Sequence, residues 1–178
     1  ISSLKSKLST KDKIIDKLNS DDIINEVTRL DQAFQKSLNQ LRELKEKIVT
    51  DNTVIFEFLD SHIALLKDRV FYSEVVDFIR DEHCNAEFAF QNCIDKYINN
   101  LKVSKSIFLK DRTSDILDIK TRVLDNLLDY ELEYRAKRST ILVVNELLPT
   151  RVLNLSSNIR GIIALHGGKT SHSAILCK

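Results

Sequence analysis

Methionine and tryptophan are absent from this sequence of 178 residues, and only three glycines and one proline occur in it. All four of these glycine and proline residues lie after position 148, so the residues that most often interrupt helices are missing from the longer first part. This distribution predicts long helices first and a different architecture from about Pro149 onward. Because even an initiator methionine is lacking, we expect the chain to be a fragment of a longer protein.

Cysteine is scarce as well. Cys84, Cys93 and Cys177 are odd in number and far apart, and no two of them form a C-x-x-C pair. This pattern argues against a disulfide framework and indicates a reducing compartment, most simply the cytoplasm. No apolar run approaches the roughly 20 residues that a membrane span needs, so no membrane association is expected.

Neither sign of charge is in excess, with 27 basic and 26 acidic residues. The sequence therefore predicts no bulk attraction to nucleic acid, and any recognition by charge must be local. Hydrophobic residues make up 43% of the chain, which is enough to bury a core.

The first 133 residues carry the apolar spacing of amphipathic helices. Between Ser20 and Ile48 the apolar residues recur at steps of three and four, with Ser20 as the expected cap. Further helices are predicted over residues 54–66, 73–82, 85–101 and 107–128. We assign residues 20–133 to a helical domain and residues 1–19 to the start of the chain. The apolar positions of the first helix are Ile24, Val27, Leu30, Phe34, Leu38, Leu41 and Ile48.

The periodicity changes in residues 139–178, which we assign to a second domain. Two short apolar runs, residues 141–144 and 162–165, are rich in β-branched side chains and resemble buried parallel strands. The segment between them is predicted to form a short helix with Pro149 in its first turn. Strand, helix and strand together indicate an α/β layer.

A Gly-Gly-Lys-Thr-Ser-His-Ser motif follows the second apolar run directly. Two glycines allow a tight turn, the hydroxyl residues can cap a following helix, and amides and a lysine at that position favour an anion. A histidine there can accept a phosphoryl group, because neutral imidazole is a nucleophile. The alternative is an ordinary strand-to-helix turn in which His172 has no chemical role. The phosphoryl-stabilising candidates beside His172 are Gly167, Gly168, Lys169, Thr170 and Ser171.

This motif matches the phosphohistidine signature of enzymes that handle phosphoenolpyruvate, and the chain resembles the amino-terminal part of Enzyme I of the phosphotransferase system. The helical stretches at residues 58–68 and 111–119 also resemble that family, as do residues 141–144 with Leu148 and Pro149. The resemblance implies a mostly α fold joined to an α/β part. The first would be a helical-hairpin bundle that binds the phosphocarrier protein HPr, and the second would be part of a phosphohistidine swivelling domain.

The resemblance also implies an activity for the intact protein: His172 takes a phosphoryl group from phosphoenolpyruvate and passes it to HPr. The phosphoenolpyruvate site and its Mg²⁺ would lie outside this fragment, which would itself bind no metal. The intact enzyme would be a homodimer and the fragment a monomer. The implied HPr-binding residues are Leu65, Asp68, Leu101, Leu109 and Arg112.

Several alternatives stay open. The motif alone fits a swivelling domain of phosphoenolpyruvate synthase or pyruvate phosphate dikinase, and the bundle alone fits a non-catalytic interaction module. The HPr-binding candidates could instead belong to the core or to the solvated surface. The family places a threonine a few residues after the proline and near the phosphohistidine. Here Val152 occupies that spacing and Thr150 is the nearest hydroxyl residue, so the resemblance leaves open which hydroxyl near Pro149 assists His172.

Overall fold

The computed structural model describes residues 19–48, 53–103, 107–130, 136–153, 155–168 and 172–177. Within these ranges five long helices precede two strands, each strand being followed by a short helix. The predicted fold class, mostly α joined to α/β, is confirmed. The elements are α1 (Ser20–Lys47), α2 (Thr53–Leu66), α3 (Arg69–Glu82), α4 (Ala86–Val103), α5 (Ile107–Leu127), β1 (Thr140–Glu146), α6 (Pro149–Val152), β2 (Ile159–His166) and α7 (His172–Leu176).

The starts of two helices differ from the sequence prediction because a preceding polar side chain caps each of them. Asn19, and not Ser20, caps α1: its Oδ1 accepts from the backbone N–H of Asp22 at 2.9 Å, and the Asp22 carboxylate accepts from Asn19 N–H at 3.3 Å. Asp68 accepts from Val70 N–H at 2.8 Å. This second cap starts α3 at Arg69, four residues before the predicted Ser73.

The helices α1 to α5 enclose one apolar core. Phe90 of α4 is fully buried, and its ring lies edge-on to Phe34 at 5.7 Å and to Phe71 at 6.1 Å between centroids. The predicted apolar stripe of α1 faces this core, except that Ile24 is 64% exposed. Every long helix contributes buried side chains, among them Leu30, Leu38, Leu41, Leu59, Val75, Ile79, Ile94, Ile119 and Val123.

A part-buried polar cluster joins three helices at one end of this core. Arg29 of α1 forms ion pairs with Glu26 at 2.7 Å and with Glu87 of α4. Its guanidinium also donates to the carbonyl oxygen of Leu127, the last residue of α5, at 3.0 Å. Glu26 in turn accepts from Ala86 N–H at 2.8 Å, which satisfies the first amide of α4. One arginine therefore fixes the relative positions of α1, α4 and α5.

The strands β1 and β2 are parallel, as predicted, with Val143 opposite Ile163. They are not buried strands, however, because the apolar side chains of one face are half-exposed or more: Ile141 is 62%, Val143 52%, Ile163 54% and Leu165 68% exposed. An apolar run indicates that its side chains would be more stable out of water. They are buried only where another element, such as a helix, packs on that face of the sheet. No such layer covers this face among the described residues.

No helix in the described ranges is long and apolar enough to cross a membrane.

His62 of α2 is fully buried in the bundle, beside Phe58. Its Nδ1 lies 2.9 Å from the carbonyl oxygen of Phe58, which therefore accepts from Nδ1–H, while Nε2 has no hydrogen-bond partner in the described structure. Burial lowers the pKa of His62 from its ordinary value, although the nearby Asp118 carboxylate opposes that shift. The folded protein therefore holds this ring in the neutral form.

We expect the buried histidine to make stability depend on pH. Because the pKa of His62 is lower in the folded state, the unfolded state binds its proton more tightly, so stability falls as pH drops below about 6.5. The His62→Gln variant removes this titration, so its free energy of unfolding should fall less between pH 7.5 and 5 than that of the wild type. Urea unfolding at a series of pH values measures the difference, and equal slopes for both proteins would contradict the assignment.

Candidate functional site

The Gly-Gly-Lys-Thr-Ser-His-Ser motif begins where β2 ends. His166 is the last residue of the strand, Gly167 and Gly168 follow it, and α7 begins at His172. The predictions that the motif follows the second strand and that His172 lies in a first helical turn are therefore confirmed. Residues 169–171 and the side chain of His172 lie outside the described part, so the roles of Lys169, Thr170, Ser171 and His172 stay predictions.

Gly167 has a backbone conformation that other residues rarely adopt, with φ at +128°. A Cβ placed there would meet no atom within 4 Å, so the glycine is needed for the turn itself and not for close packing. Gly161, inside β2, has no such backbone constraint, and a Cβ there would lie 3.9 Å from the Ile141 side chain. The strand-to-helix turn therefore depends on Gly167.

The residue after His172 is tied to the segment between β1 and α6. Ser173 is 4% exposed, and its hydroxyl donates to the carbonyl oxygen of Leu147. Pro149, two residues after Leu147, is the first residue of α6. It is buried, and it has no N–H that would need a partner. The short helices α6 and α7 therefore lie against each other at the carboxyl ends of the two strands.

Thr150 of α6 binds two charged residues of the bundle. Its hydroxyl donates to Asp118 Oδ1 at 2.7 Å and accepts from Arg122 Nη2 at 2.7 Å, and its backbone N–H donates to Asp118 Oδ2 at 2.8 Å. Both partners lie on α5, one turn apart. Sequence reasoning missed this contact, because the spacing of Asp118 and Arg122 along α5 indicates only that they share one face of that helix and not which distant residue they meet.

Partial burial also shifts the pKa values of charged groups on α5. Burial lowers the pKa of the Arg122 guanidinium, against the opposing effect of Asp118. Burial raises the pKa of Asp125, although its ion pair with Arg151 of α6 acts in the other direction. Two polar contacts, one at Thr150 and one at Arg151, therefore hold α6 against α5.

The predicted HPr-binding residues have different environments. Leu65 and Leu101 are half-buried and lie against the core, while Asp68 is exposed and caps α3. Leu109 and Arg112 belong to α5, but their side chains lie outside the described part. The HPr-binding role of all five stays a prediction.

His166 and His83 each lie at the end of a secondary-structure element. His166 is exposed at the end of β2 and lies opposite Glu146 of β1. His83 is exposed in a left-handed conformation at the end of α3, with φ at 52°. The residues that the structure describes contain no group of three or more His, Cys, Asp or Glu side chains that could hold a metal ion.

Two family descriptions match this chain. "PEP-utilising enzyme, N-terminal" matches residues 6–112, and "PEP-utilising enzyme, mobile domain" matches residues 136–178. The chain belongs to the PEP-utilising enzyme family. The first match covers most of the bundle, and the second covers both strands and the histidine motif.

Curated relatives in this PEP-utilising family carry the name phosphoenolpyruvate-protein phosphotransferase. The one from Buchnera aphidicola (subsp. Baizongia pistaciae) is 30% identical over 91% of this chain and 29% of its own length. The one from Bacillus subtilis (strain 168) is 29% identical over 97% of this chain and 31% of its own length. The chain thus spans about a third of the length of these relatives.

Solved structures show the same fold. A solution structure of Enzyme I matches with a TM-score of 0.74 at 21% identity, covering 91% of this chain and 67% of the other. A structure described as the N-terminal domain of Enzyme 1 - Nitrogen matches with a TM-score of 0.67 at 24% identity, covering 92% of this chain and 68% of the other. At these identities the matches concern the fold of this PEP-utilising chain.

The backbone constraint at Gly167 predicts an asymmetry between two glycines. Gly167→Ala should lower the free energy of unfolding by about 1–3 kcal/mol, because the alanine must keep a conformation with positive φ. Gly161→Ala should change it by less than about 1 kcal/mol, because its Cβ makes an ordinary contact. Urea unfolding followed by circular dichroism compares the two variants, and equal losses would contradict the assignment.

Proposed function

We propose that this chain carries the phosphohistidine of a phosphoenolpyruvate-protein phosphotransferase, with His172 as the residue that receives the phosphoryl group and passes it to HPr. One observation carries the proposal: the histidine motif begins where a parallel strand ends, and α7 begins at His172 itself. The family of the chain and the names of its curated relatives support the same activity.

The reaction has two balanced steps. First, a neutral imidazole nitrogen of His172 attacks the phosphorus of phosphoenolpyruvate and forms an N–P bond, while the P–O bond to the enol oxygen breaks. The enolate takes a proton at carbon and leaves as pyruvate. Second, a histidine nitrogen of HPr attacks the same phosphorus, the N–P bond to His172 breaks, and the His172 imidazole is restored.

The rest of the motif serves the charge of the phosphoryl group in this proposal. Lys169 supplies a cation, and Thr170 and Ser171 supply hydroxyl groups beside the transferring phosphoryl oxygens. Gly167 adopts the positive φ that the turn requires, and Gly168, which has no side chain, leaves room for the phosphoryl group. Positioning and charge stabilisation account for most of the catalysis in phosphoryl transfer, so the turn and its support contribute to the rate.

The helical bundle is the proposed docking surface for HPr. The side chains assigned to that contact are Leu65, Asp68, Leu101, Leu109 and Arg112. Leu65 lies in the last turn of α2, and the exposed Asp68 that caps α3 follows it three residues later. An apolar side chain and a carboxylate are therefore close together in sequence at this point. An apolar contact with a few charges at its rim suits a transient complex of two proteins.

Other properties belong to the intact protein in this proposal. As the resemblance to Enzyme I implies, we assign Mg²⁺ and the phosphoenolpyruvate site to parts of the intact enzyme outside this chain, and we derive no step through the metal. We propose that the intact enzyme is a homodimer and works in the cytoplasm. The free thiols of Cys84, Cys93 and Cys177 support a reducing compartment.

The proposed phosphoacceptor is tested by transfer from HPr phosphorylated on its histidine. The intact protein should take up about one acid-labile, base-stable phosphate per chain, located by mass spectrometry on the peptide containing His172. The His172→Ala variant should take up none, and His166→Ala should be labelled like the wild type because His166 lies in β2. No labelling of a folded wild type, or labelling that survives His172→Ala, would contradict the proposal.

Asp68 offers a test that separates HPr docking from helix capping. Asp68→Ala should cost about 1 kcal/mol of stability because the cap of α3 is lost, whereas Asp68→Asn retains a good cap and removes only the charge. If the carboxylate contacts HPr, both variants should raise the KM for HPr several-fold with little change in kcat. An unchanged KM in Asp68→Asn would show that the residue acts only as a cap.

A further inference from the structure

Thr150 is held on both sides by the bundle. The residue is 1% exposed, and its hydroxyl group and backbone N–H together make three hydrogen bonds of 2.7 to 2.8 Å to Asp118 and Arg122. The Asp118 carboxylate uses one oxygen for the hydroxyl and the other for the amide. Such a fork allows only one orientation of the first turn of α6 relative to α5.

The contact extends from α5 into α1. Arg122 Nη1 donates to Gln40 Oε1 at 2.8 Å, and Asn126 donates to the same oxygen at 3.1 Å and to Ser37 Oγ at 2.8 Å. Asp118 is itself only 1% exposed. The Arg122 guanidinium therefore binds Thr150 through one nitrogen and Gln40 of α1 through the other.

Burying these groups is costly. Arg122 Nε is buried without a hydrogen-bond partner among the described residues, and the Asp118 carboxylate is almost completely removed from water. Apolar side chains of similar size would often stabilise a fold as well or better. A buried polar cluster of this kind instead favours one geometry over its alternatives.

The same segment reaches the helix that carries His172. Leu147, three residues before Thr150, accepts the hydrogen bond of the buried Ser173 hydroxyl, and Ser173 follows His172 directly. The contacts therefore run without interruption from Asp118 and Arg122 to Thr150, along the backbone to Leu147, and across to Ser173. A shift of α6 relative to α5 would move the first turn of α7.

We propose that Asp118 and Arg122 are positioning residues for His172, acting through Thr150 and the hydrogen bond between Leu147 and Ser173. The role of His172 rests on the function proposed above. Phosphoryl transfer requires the nucleophile to lie in line with the phosphorus, and a displacement of about 1 Å can cost about 100-fold in rate. The bundle then does more than dock a partner protein, because it also sets the position of the phosphoacceptor.

Three variants of the intact protein test this. Thr150→Val keeps the volume of the side chain but removes the hydroxyl, and Thr150→Ser restores it. Thr121→Val makes the same change on α5, where the hydroxyl binds only the Leu117 carbonyl of its own helix in the described structure. Single-turnover transfer from phosphorylated HPr to His172 gives the rate and the apparent affinity, and the histidine ring signals in NMR spectra over a range of pH report the surroundings of His172.

Thr150→Val should slow transfer about 10- to 100-fold with unchanged affinity for phosphorylated HPr, and should shift the ring signals of His172. Thr150→Ser should recover both to within about threefold and Thr121→Val should change neither, on the same scale of positioning effects. A rate and spectrum of Thr150→Val that equal those of Thr121→Val would overturn the proposal.

A general loss of stability is excluded by Ile79→Val. Ile79 of α3 is fully buried in the apolar core and takes no part in the contacts that lead to Thr150, so the variant weakens the core and leaves those contacts in place. If Ile79→Val slows transfer as much as Thr150→Val, the effect is not one of positioning and the proposal fails.

Failure of the proposed function has a separate signature. If the wild type takes up no phosphate on His172, the phosphoacceptor role is wrong, and the spectra of the unphosphorylated proteins still decide the question of placement. A shift of the His172 ring signals in Thr150→Val with recovery in Thr150→Ser supports the contact path. Unshifted signals overturn it.

Discussion

The hydroxyl group of Thr150 joins the two architectures of this chain. It donates to a carboxylate and accepts from a guanidinium that both belong to α5, while the peptide that carries it begins the helix between the two parallel strands. Together with the ion pair between Arg151 and Asp125, this contact sets where α6 lies against α5. The carbonyl of Leu147 meets Ser173 at one end of the same segment, so the start of α7 depends on where α6 lies.

The bundle can tolerate these buried polar groups because other contacts fix the packing of its core. Phe90 lies between the rings of Phe34 and Phe71, and Arg29 ties three helices together at one end. With α1 and α5 fixed by these contacts, the polar groups of Arg122 and Asp118 need not contribute net stability. Their burial is tolerated where a unique orientation is required, which is the use best attested for buried polar clusters.

Several elements were predictable from the sequence because their causes are local. The stripe of apolar residues in α1, the parallel strands near residues 141–144 and 162–165, and the glycine turn before His172 each follow from spacing or from the conformational freedom of one residue type. Helix starts were less predictable. Asn19 competes with the neighbouring Ser20, and Asp68 lies before the predicted start of α3, so only the backbone geometry decides which side chain reaches the free amides.

The sequence by itself determined the helical first part, the change of architecture near Pro149 and the histidine motif, because these depend on periodicity and on residues that are neighbours along the chain. Only the tertiary structure decided that Thr150 faces Asp118 and Arg122, that His62 is buried in neutral form, and that one face of the two strands is exposed. Each of these joins or separates segments far apart in sequence. Spacing along a chain carries no information about which distant side chains meet, since that is set by how the helices pack.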